Sequence, residues 1–309
     1  MKRYLTIDGG TTNTRIRLVE DLRIVDCVRC AIGARAGING TEPLRQAIRD
    51  GIRTLLDRNG LSEADVLRIL AAGMITSEYG LCELAHLRAP VGQRELHDSM
   101  YEITLPKIAS IPFVFIRGVK TAGDLDGTDM MRGEETELFG IWNGEAGVYA
   151  LPGSHSKLLS VDADGRIVSC STMLTGEMIS ALWSGTILRS AFDLTTATLD
   201  LQSLLQGFDY ASLHGLNEAL FKVRILKNLF GKSESECYSF FLGSILQGDW
   251  RGLLDQMPQR ITVGGKKQLR EASVAILRER SGAEIVELTD EEAEAATSIG
   301  MIRIFEYWE

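Results

Sequence analysis

Ile7-Asp8-Gly9-Gly10-Thr11-Thr12-Asn13-Thr14-Arg15 lies between two alternating apolar runs, and a degenerate copy of the unit returns in the middle of the chain. With Gly10 laid on Gly153 and no gap allowed, Thr11 meets Ser154, Ile16 meets Leu159 and Leu18 meets Val161. Further along, Arg23-Ile24-Val25 meets Arg166-Ile167-Val168, and Cys27 meets Cys170. Each copy reads as strand, tight Gly/Ser/Thr turn, strand, short turn, strand. The sequence therefore predicts an α/β chain of two duplicated halves, each opening on an antiparallel meander. Asn143-Gly144 is a turn signal and marks the expected boundary, giving domains 1–143 and 144–309.

The rest of each half fits that plan. Tyr4–Ile7, Arg15–Glu20 and Ile24–Ala31 form the first meander, and Thr41–Asn59 reads as an amphipathic helix closed by Gly60. Leu67–Ala71 and Phe113–Ile116 read as buried strands, and a helical pattern covers Asp129–Trp142. The second half restarts at Val148–Leu151. Helices are expected over Thr175–Phe192, Leu216–Leu229, Ser233–Gln247 and Lys266–Arg280, with strands at Arg260–Val263 and Ala283–Leu288. A last helix opens on Asp290-Glu291-Glu292, acidic residues suited to a first turn. Meanders followed by alternating helices and strands give two α/β domains with a cleft between them.

Bulk properties narrow the function classes. At 309 residues, with 45% hydrophobic and 24% charged residues, the chain has the composition of a soluble globular protein with two cores. No apolar run approaches the ~18 residues of a spanning helix, and Asp8 cuts any leader-like stretch early, so a cytoplasmic protein without membrane contact is expected. A net charge of −9 with scattered Lys and Arg excludes a nucleic-acid partner. A homodimer is compatible with the sequence. Cys27 and Cys30 form C-x-x-C, but on an alternating strand residues three apart point to opposite faces, so reduced structural thiols are expected.

Four segments carry residues suited to chemistry. In the first turn, Gly9 and Gly10 allow close backbone approach or a positive φ, and Thr11, Thr12 and Asn13 add donors for phosphate oxygens. Asp8, at the strand end, suits Mg²⁺, which favours carboxylates together with phosphates. A hairpin that merely needs glycine at its bend would use the same residues. The second turn, Gly153, Ser154, His155, Ser156 and Lys157, tips the balance towards phosphate binding, although His155 alone reads equally as an ordinary turn histidine. Gly264 and Gly265, between a strand and a helix, would let a base and ribose lie against the backbone. They lack the spacing of either standard nucleotide fingerprint. Finally, Asp129 with Arg132, Glu134 and Glu135 supplies carboxylates beside an arginine. Transfer to an alcohol needs such a carboxylate to orient the hydroxyl, and an N-cap would equally explain Asp129.

These motifs, in this order, resemble the sugar-kinase branch of the actin-like ATPase superfamily, and more closely the 2-keto-3-deoxygalactonate kinases. The resemblance rests on residues 7–15, 73–80, 129–136, 151–158 and 175–178. It implies two duplicated actin-like (ribonuclease H-like) domains with an interdomain nucleotide cleft. It also implies ATP- and Mg²⁺-dependent phosphorylation of the 6-hydroxyl of a 2-keto-3-deoxy sugar acid in galactonate catabolism. Carried over, Asp8 and Gly10–Thr12 match the first phosphate motif, Gly153–Ser156 the second, and Gly264 and Gly265 the adenosine motif. Asp129 stands where related kinases place their base, and Ser77, Arg117, Arg132 and Glu134 are candidates to face the acceptor. Ser154 and Leu158 stand where the family commonly has threonine and an aromatic residue. The alternatives are a kinase for another sugar or sugar acid and a non-catalytic nucleotide-binding sensor of the same fold.

Overall fold

The computed structural model describes Met1–Trp308. It divides into two compact units: residues 1–146 with 160–170 and 291–309, and residues 147–159 with 171–290. The chain passes from the first unit to the second at 146/147, and the last helix belongs again to the first unit.

The first unit is organised on a six-stranded sheet. Its strands are β1 (Arg3–Gly9), β2 (Thr14–Glu20), β3 (Arg23–Cys30), β4 (Arg68–Gly73), β6 (Tyr101–Ile103) and β7 (Phe113–Phe115), in the order β3-β2-β1-β4-β7-β6. β1 runs antiparallel to β2 and parallel to β4, with Gly9 opposite Thr14 on one side and Gly73 on the other. Being flanked on both edges, β1 buries Tyr4, Leu5, Thr6 and Ile7 without interruption. β3 lies on an edge and half-buries Ile24, Asp26, Cys27, Val28 and Cys30. Cys30 packs against α1 (Glu42–Arg58), and none of the five cysteines is in a disulfide. A three-stranded sheet of β5 (Leu87–Arg88), β8 (Val119–Lys120) and β9 (Met130–Met131), and α2 (Gln93–Asp98), were not anticipated.

Two helices of this unit meet backbone to backbone. A Cβ added at Gly140, on α3 (Glu134–Ile141), would overlap the carbonyl oxygen of Ala296 on α9 (Asp290–Phe305). One added at Gly300 would overlap that of Thr136. Glycine at both places is what permits the crossing. Arg303 of α9 then caps the end of α3, donating to the carbonyls of Phe139 and Gly140. The buried hydroxyls of Thr6 and Ser298, 2.7 Å apart, join α9 to β1.

The second unit holds β10 (Gly147–Leu151), β11 (Ser156–Val161), β12 (Ile167–Met173), β13 (Arg260–Val263) and β14 (Glu284–Glu287), ordered β12-β11-β10-β13-β14. β13 is parallel to both β10 and β14. The far end of the β11–β12 hairpin, residues 160–170, counts with the first unit. The helices are α4 (Thr175–Gly185), α5 (Leu201–His214), α6 (Leu216–Asn228), α7 (Glu234–Asp255) and α8 (Lys267–Arg280). α5 was not anticipated from sequence, although Asp200 caps it by accepting from the Ser203 amide. α7 is longer than expected and buried without a gap from Cys237 to Gln247. Its backbone touches α5 at Gly207 and Gly243, where any side chain would strike the Phe240 or Leu204 carbonyl.

Among the described residues no helix is long and apolar enough to cross a membrane.

Candidate active site

The first turn is held from behind. The Gly10 amide donates to the Asn13 carbonyl at 2.9 Å, closing the hairpin. The carbonyls of Gly10 and Thr11 accept from the Ala34 and Arg35 amides at 3.0 and 2.9 Å. The side chains of Thr11, Thr12 and Asn13 remain exposed. Neither glycine has a positive φ. Gly9 is needed for packing, because a Cβ there would come within 2.7 Å of the Ile75 side chain. Gly10 is needed because a Cβ would come within 2.9 Å of the Asn13 oxygen. The left-handed residue of this region is instead Gly73, with φ +84°, where β4 turns into the 74–80 loop. The Asp8 carboxylate, half-buried at the end of β1, lies 3.2 Å from Arg15.

In the second unit the corresponding turn has the same construction. The Gly153 and Ser154 carbonyls accept from the amide of Gly176 at 3.1 and 3.0 Å, and Ser154 also from that of Glu177. Those amides belong to the first turn of α4. Gly176 is required, since a Cβ would lie 2.7 Å from the Gly153 oxygen. Ser154 and His155 are exposed, and His155 pairs with Glu177 at 3.0 Å. Lys157 is buried and its ammonium donates to Thr172 at 2.5 Å. The exposed ammonium beside this turn belongs to Lys266, which donates to the Ser154 hydroxyl at 2.9 Å. Gly264 and Gly265 abut the same turn: the Gly264 amide bonds to the Ala150 carbonyl, and the Lys266 amide to that of Pro152. Gly265 has φ +72° and leaves no room for a Cβ against Pro152.

Beneath the second turn sits Asp249 of α7, only 7% exposed. It accepts from the Thr175 hydroxyl at 2.6 Å and from Ser156, and burial raises its pKa to about 6. Nothing in the sequence singled it out.

The acceptor-side candidates of the first unit separate by environment. The predicted helix start at Asp129 is displaced: β9 pairs with β8, Gly133 adopts φ +119°, and α3 begins only at Glu134. Asp129 is a half-buried strand-flanking residue whose amide and carbonyl both bond to Thr121, and whose Oδ1 accepts from the Met130 amide at 2.6 Å. Arg132 donates to the carbonyls of Thr76 and Leu84, to the Thr76 hydroxyl at 2.7 Å, and reaches His86. Arg117 similarly donates to the carbonyls of Ser99 and Ala85. Both guanidiniums therefore fix loop backbone, which composition could not reveal. The Ser77 hydroxyl caps the Met74 carbonyl, and Glu134 accepts from the Arg132 amide.

Glu135, fully buried in the first turn of α3, receives the Gly133 amide on both oxygens at 2.8 Å. Burial, with the charge of Glu134 adding to it, pushes its pKa up to about 8. A carboxyl raised from 4.5 contributes stability that is complete below pH 4.5 and lost as pH rises through about 8. Thermal melts should accordingly fall across that window by an amount on the order of a few kcal/mol. Glu135→Gln should flatten the dependence, and an unchanged slope in the variant would exclude Glu135 as its source.

The two sheets and their helices define a mixed α/β fold. That fold alone is shared with component A of the (R)-2-hydroxyglutaryl-CoA dehydratase of Acidaminococcus fermentans, at TM-score 0.50 and 12% identity with 100% of each chain covered. A crystal structure from Sinorhizobium meliloti, assigned the name 2-dehydro-3-deoxygalactonokinase, superposes at TM-score 0.77 with 20% identity over 99% of this chain and 96% of that one. The profile of the 2-keto-3-deoxy-galactonokinase family matches residues 8–304, and the chain belongs to that family. In sequence it is 28% identical over 199 residues to "Probable 2-dehydro-3-deoxygalactonokinase DgoK1" of Rhizobium meliloti (strain 1021), a match spanning 61% of this chain and 58% of that relative.

Proposed function

We propose that the protein transfers the γ-phosphoryl group of ATP to the 6-hydroxyl of 2-keto-3-deoxygalactonate, a cytoplasmic step of galactonate catabolism. The observation that carries this reading, in a chain of this family, is the matching build of the two turns. Each presents exposed hydroxyls, Thr11 and Thr12 or Ser154, on backbone whose carbonyls are tied down by amides of the helical segment after the third strand. Such a turn holds its donors in place before a phosphate arrives, so little ordering cost is left for binding. The common strand order of the two sheets, a three-stranded meander joined to a parallel strand, supports a duplication.

Residues 9–13 and 153–156 are assigned to the phosphates of ATP, with Lys266 rather than the buried Lys157 as the accompanying cation. Gly264 and Gly265 are assigned to the adenosine. Asp129 orients the acceptor hydroxyl; its oxygen attacks the γ-phosphorus, the bond to the β,γ-bridging oxygen breaks, ADP leaves and the hydroxyl proton passes to the carboxylate. Ser77, Arg117, Arg132 and Glu134 shape the acceptor side, the arginines by fixing the backbone of residues 76–86. Among the described residues no cluster of three or more His, Cys, Asp or Glu forms a metal cage. One carboxylate beside hydroxyls fits Mg²⁺, which binds largely through phosphates and water, and Asp8 is its assigned protein ligand. Bound there, Mg²⁺ would neutralise phosphate charge. A homodimer belongs to the same reading, and Leu213 of α5, Phe221 of α6 and the following Leu229 and Phe230 are exposed apolar residues available to it.

The test is an ADP-release assay with ATP and Mg²⁺ across 2-keto-3-deoxygalactonate, its gluconate epimer, galactonate and common hexoses. Turnover strongly favouring the first is expected. Preference for another acceptor would overturn the substrate, and absence of turnover with any would overturn the kinase reading.

A further inference from the structure

We infer that Asp249 is a positioning residue for the nucleotide: its carboxylate, set on α7, locks the Gly153–Ser156 turn and the start of α4 into one phosphate-binding unit. The inference rests on the assignment of that turn to the phosphates of ATP.

The connections form a continuous chain. The Gly153 amide donates to the Ser156 hydroxyl at 3.3 Å. Ser156, 3% exposed, passes its own hydrogen to Asp249. Thr175, 1% exposed and first residue of α4, donates to Oδ2 of the same carboxylate at 2.6 Å. One residue further on, the Gly176 amide returns to the carbonyls of Gly153 and Ser154. The carboxylate thus fixes the turn through a side chain and, through Thr175, the helix amides that hold the turn's carbonyls. An acceptor of two hydrogen bonds must be held still to do this, and α7 is. Its preceding stretch is buried from Cys237 to Gln247 and its backbone touches α5 at Gly243.

Burying a carboxylate is costly unless its hydrogen bonds are made, so a purely structural position would be as well served by a neutral side chain. Among the described residues the hydroxyls of Thr175 from α4 and Ser156 from β11 bond to Asp249; burial raises its pKa to about 6 and these two bonds oppose the rise. The ionised form accepts both hydrogen bonds. On protonation one carboxyl oxygen becomes a donor, and the hold on Ser156 or Thr175 is lost. Affinity for ATP should therefore weaken as pH falls through about 6.

The experiment compares wild type with Asp249→Asn and Ser156→Ala. In Asp249→Asn the KM for ATP should rise at least about tenfold, the scale of one charge-assisted hydrogen bond, while the KM for the sugar acid stays unchanged. The acidic limb of kcat/KM for ATP should disappear. Combined with Ser156→Ala the effect should be less than additive, because both act on one chain of bonds. Wild-type ATP kinetics and an unaltered pH profile in Asp249→Asn would overturn the inference, and so would a lower melting temperature with those kinetics unchanged. If wild-type protein phosphorylates no acceptor, the kinase reading fails separately. The same comparison is then made by titration calorimetry with ATP, where a tenfold loss in Asp249→Asn supports the positioning role and equal affinity overturns it.

Discussion

Replacing Asp129 with asparagine is expected to lower kcat by ~10²–10⁴-fold while leaving the melting temperature unchanged, the range set by general base catalysis. The local structure favours so selective an effect. The backbone of Asp129 is held on both sides by Thr121, and its Oδ1 accepts from the Met130 amide. Asparagine keeps that acceptor and removes only the basicity of the side chain. The KM for ATP should also stay close to wild type, since the turns assigned to the phosphates are separate from this loop in sequence. Steady-state kinetics with both substrates varied, beside a thermal melt, check the expectation. A variant turning over near the wild-type rate would place the base elsewhere.

Gly140→Val and Gly300→Val should each destabilise the protein by at least about 3 kcal/mol, or prevent its folding. Overpacking is relieved cheaply when the neighbour is the end of a flexible side chain. Here the obstacles are the carbonyls of Ala296 and Thr136, inside helices α9 and α3. Relief would require the two helices to separate along a crossing that Arg303 and the Thr6–Ser298 pair also hold. Gly282→Ala is the control: nothing lies within 4 Å of a Cβ there, and the change should stay within about 0.5 kcal/mol. Denaturant unfolding measures all three, and equal midpoints would refute the packing account.

How much of this was legible depended on whether a residue's partner was near in sequence. The two turns were readable because glycines, hydroxyls and flanking alternation lie within nine residues of one another in the first case and are echoed in the second. Thr175-Gly176-Glu177 likewise announced a helix start, and α4 begins there. The reason for Gly9 was not readable: its neighbour is Ile75, brought in by the parallel pairing of β1 with β4. The resemblance made Arg132 a candidate to face the acceptor. Its contacts to the carbonyls of Thr76 and Leu84 were not readable, because every residue type has a carbonyl and no composition signals them. Asp249 was invisible for a similar reason. In α7 it follows an apolar stretch and reads as a helix-surface charge, while Thr175 lies 74 residues away. Asp129 shows the opposite failure. Local rules favoured a cap at that position, and pairing of β9 with β8 overrode them.

The return of α9 to the first unit constrains the order in which the molecule can be made. Strand β1 leaves the ribosome well before α9 does, for the hydroxyl that meets Thr6 belongs to Ser298, 292 positions later. Until then the surface of β1 that carries Thr6, and the glycine face of α3, have nothing to lie against. The second unit, with its contiguous run from 171 to 290, has all its helices in hand before the first unit receives its closing element. During synthesis the unit that holds β1 thus receives its closing helix only after the whole 171–290 run has been made.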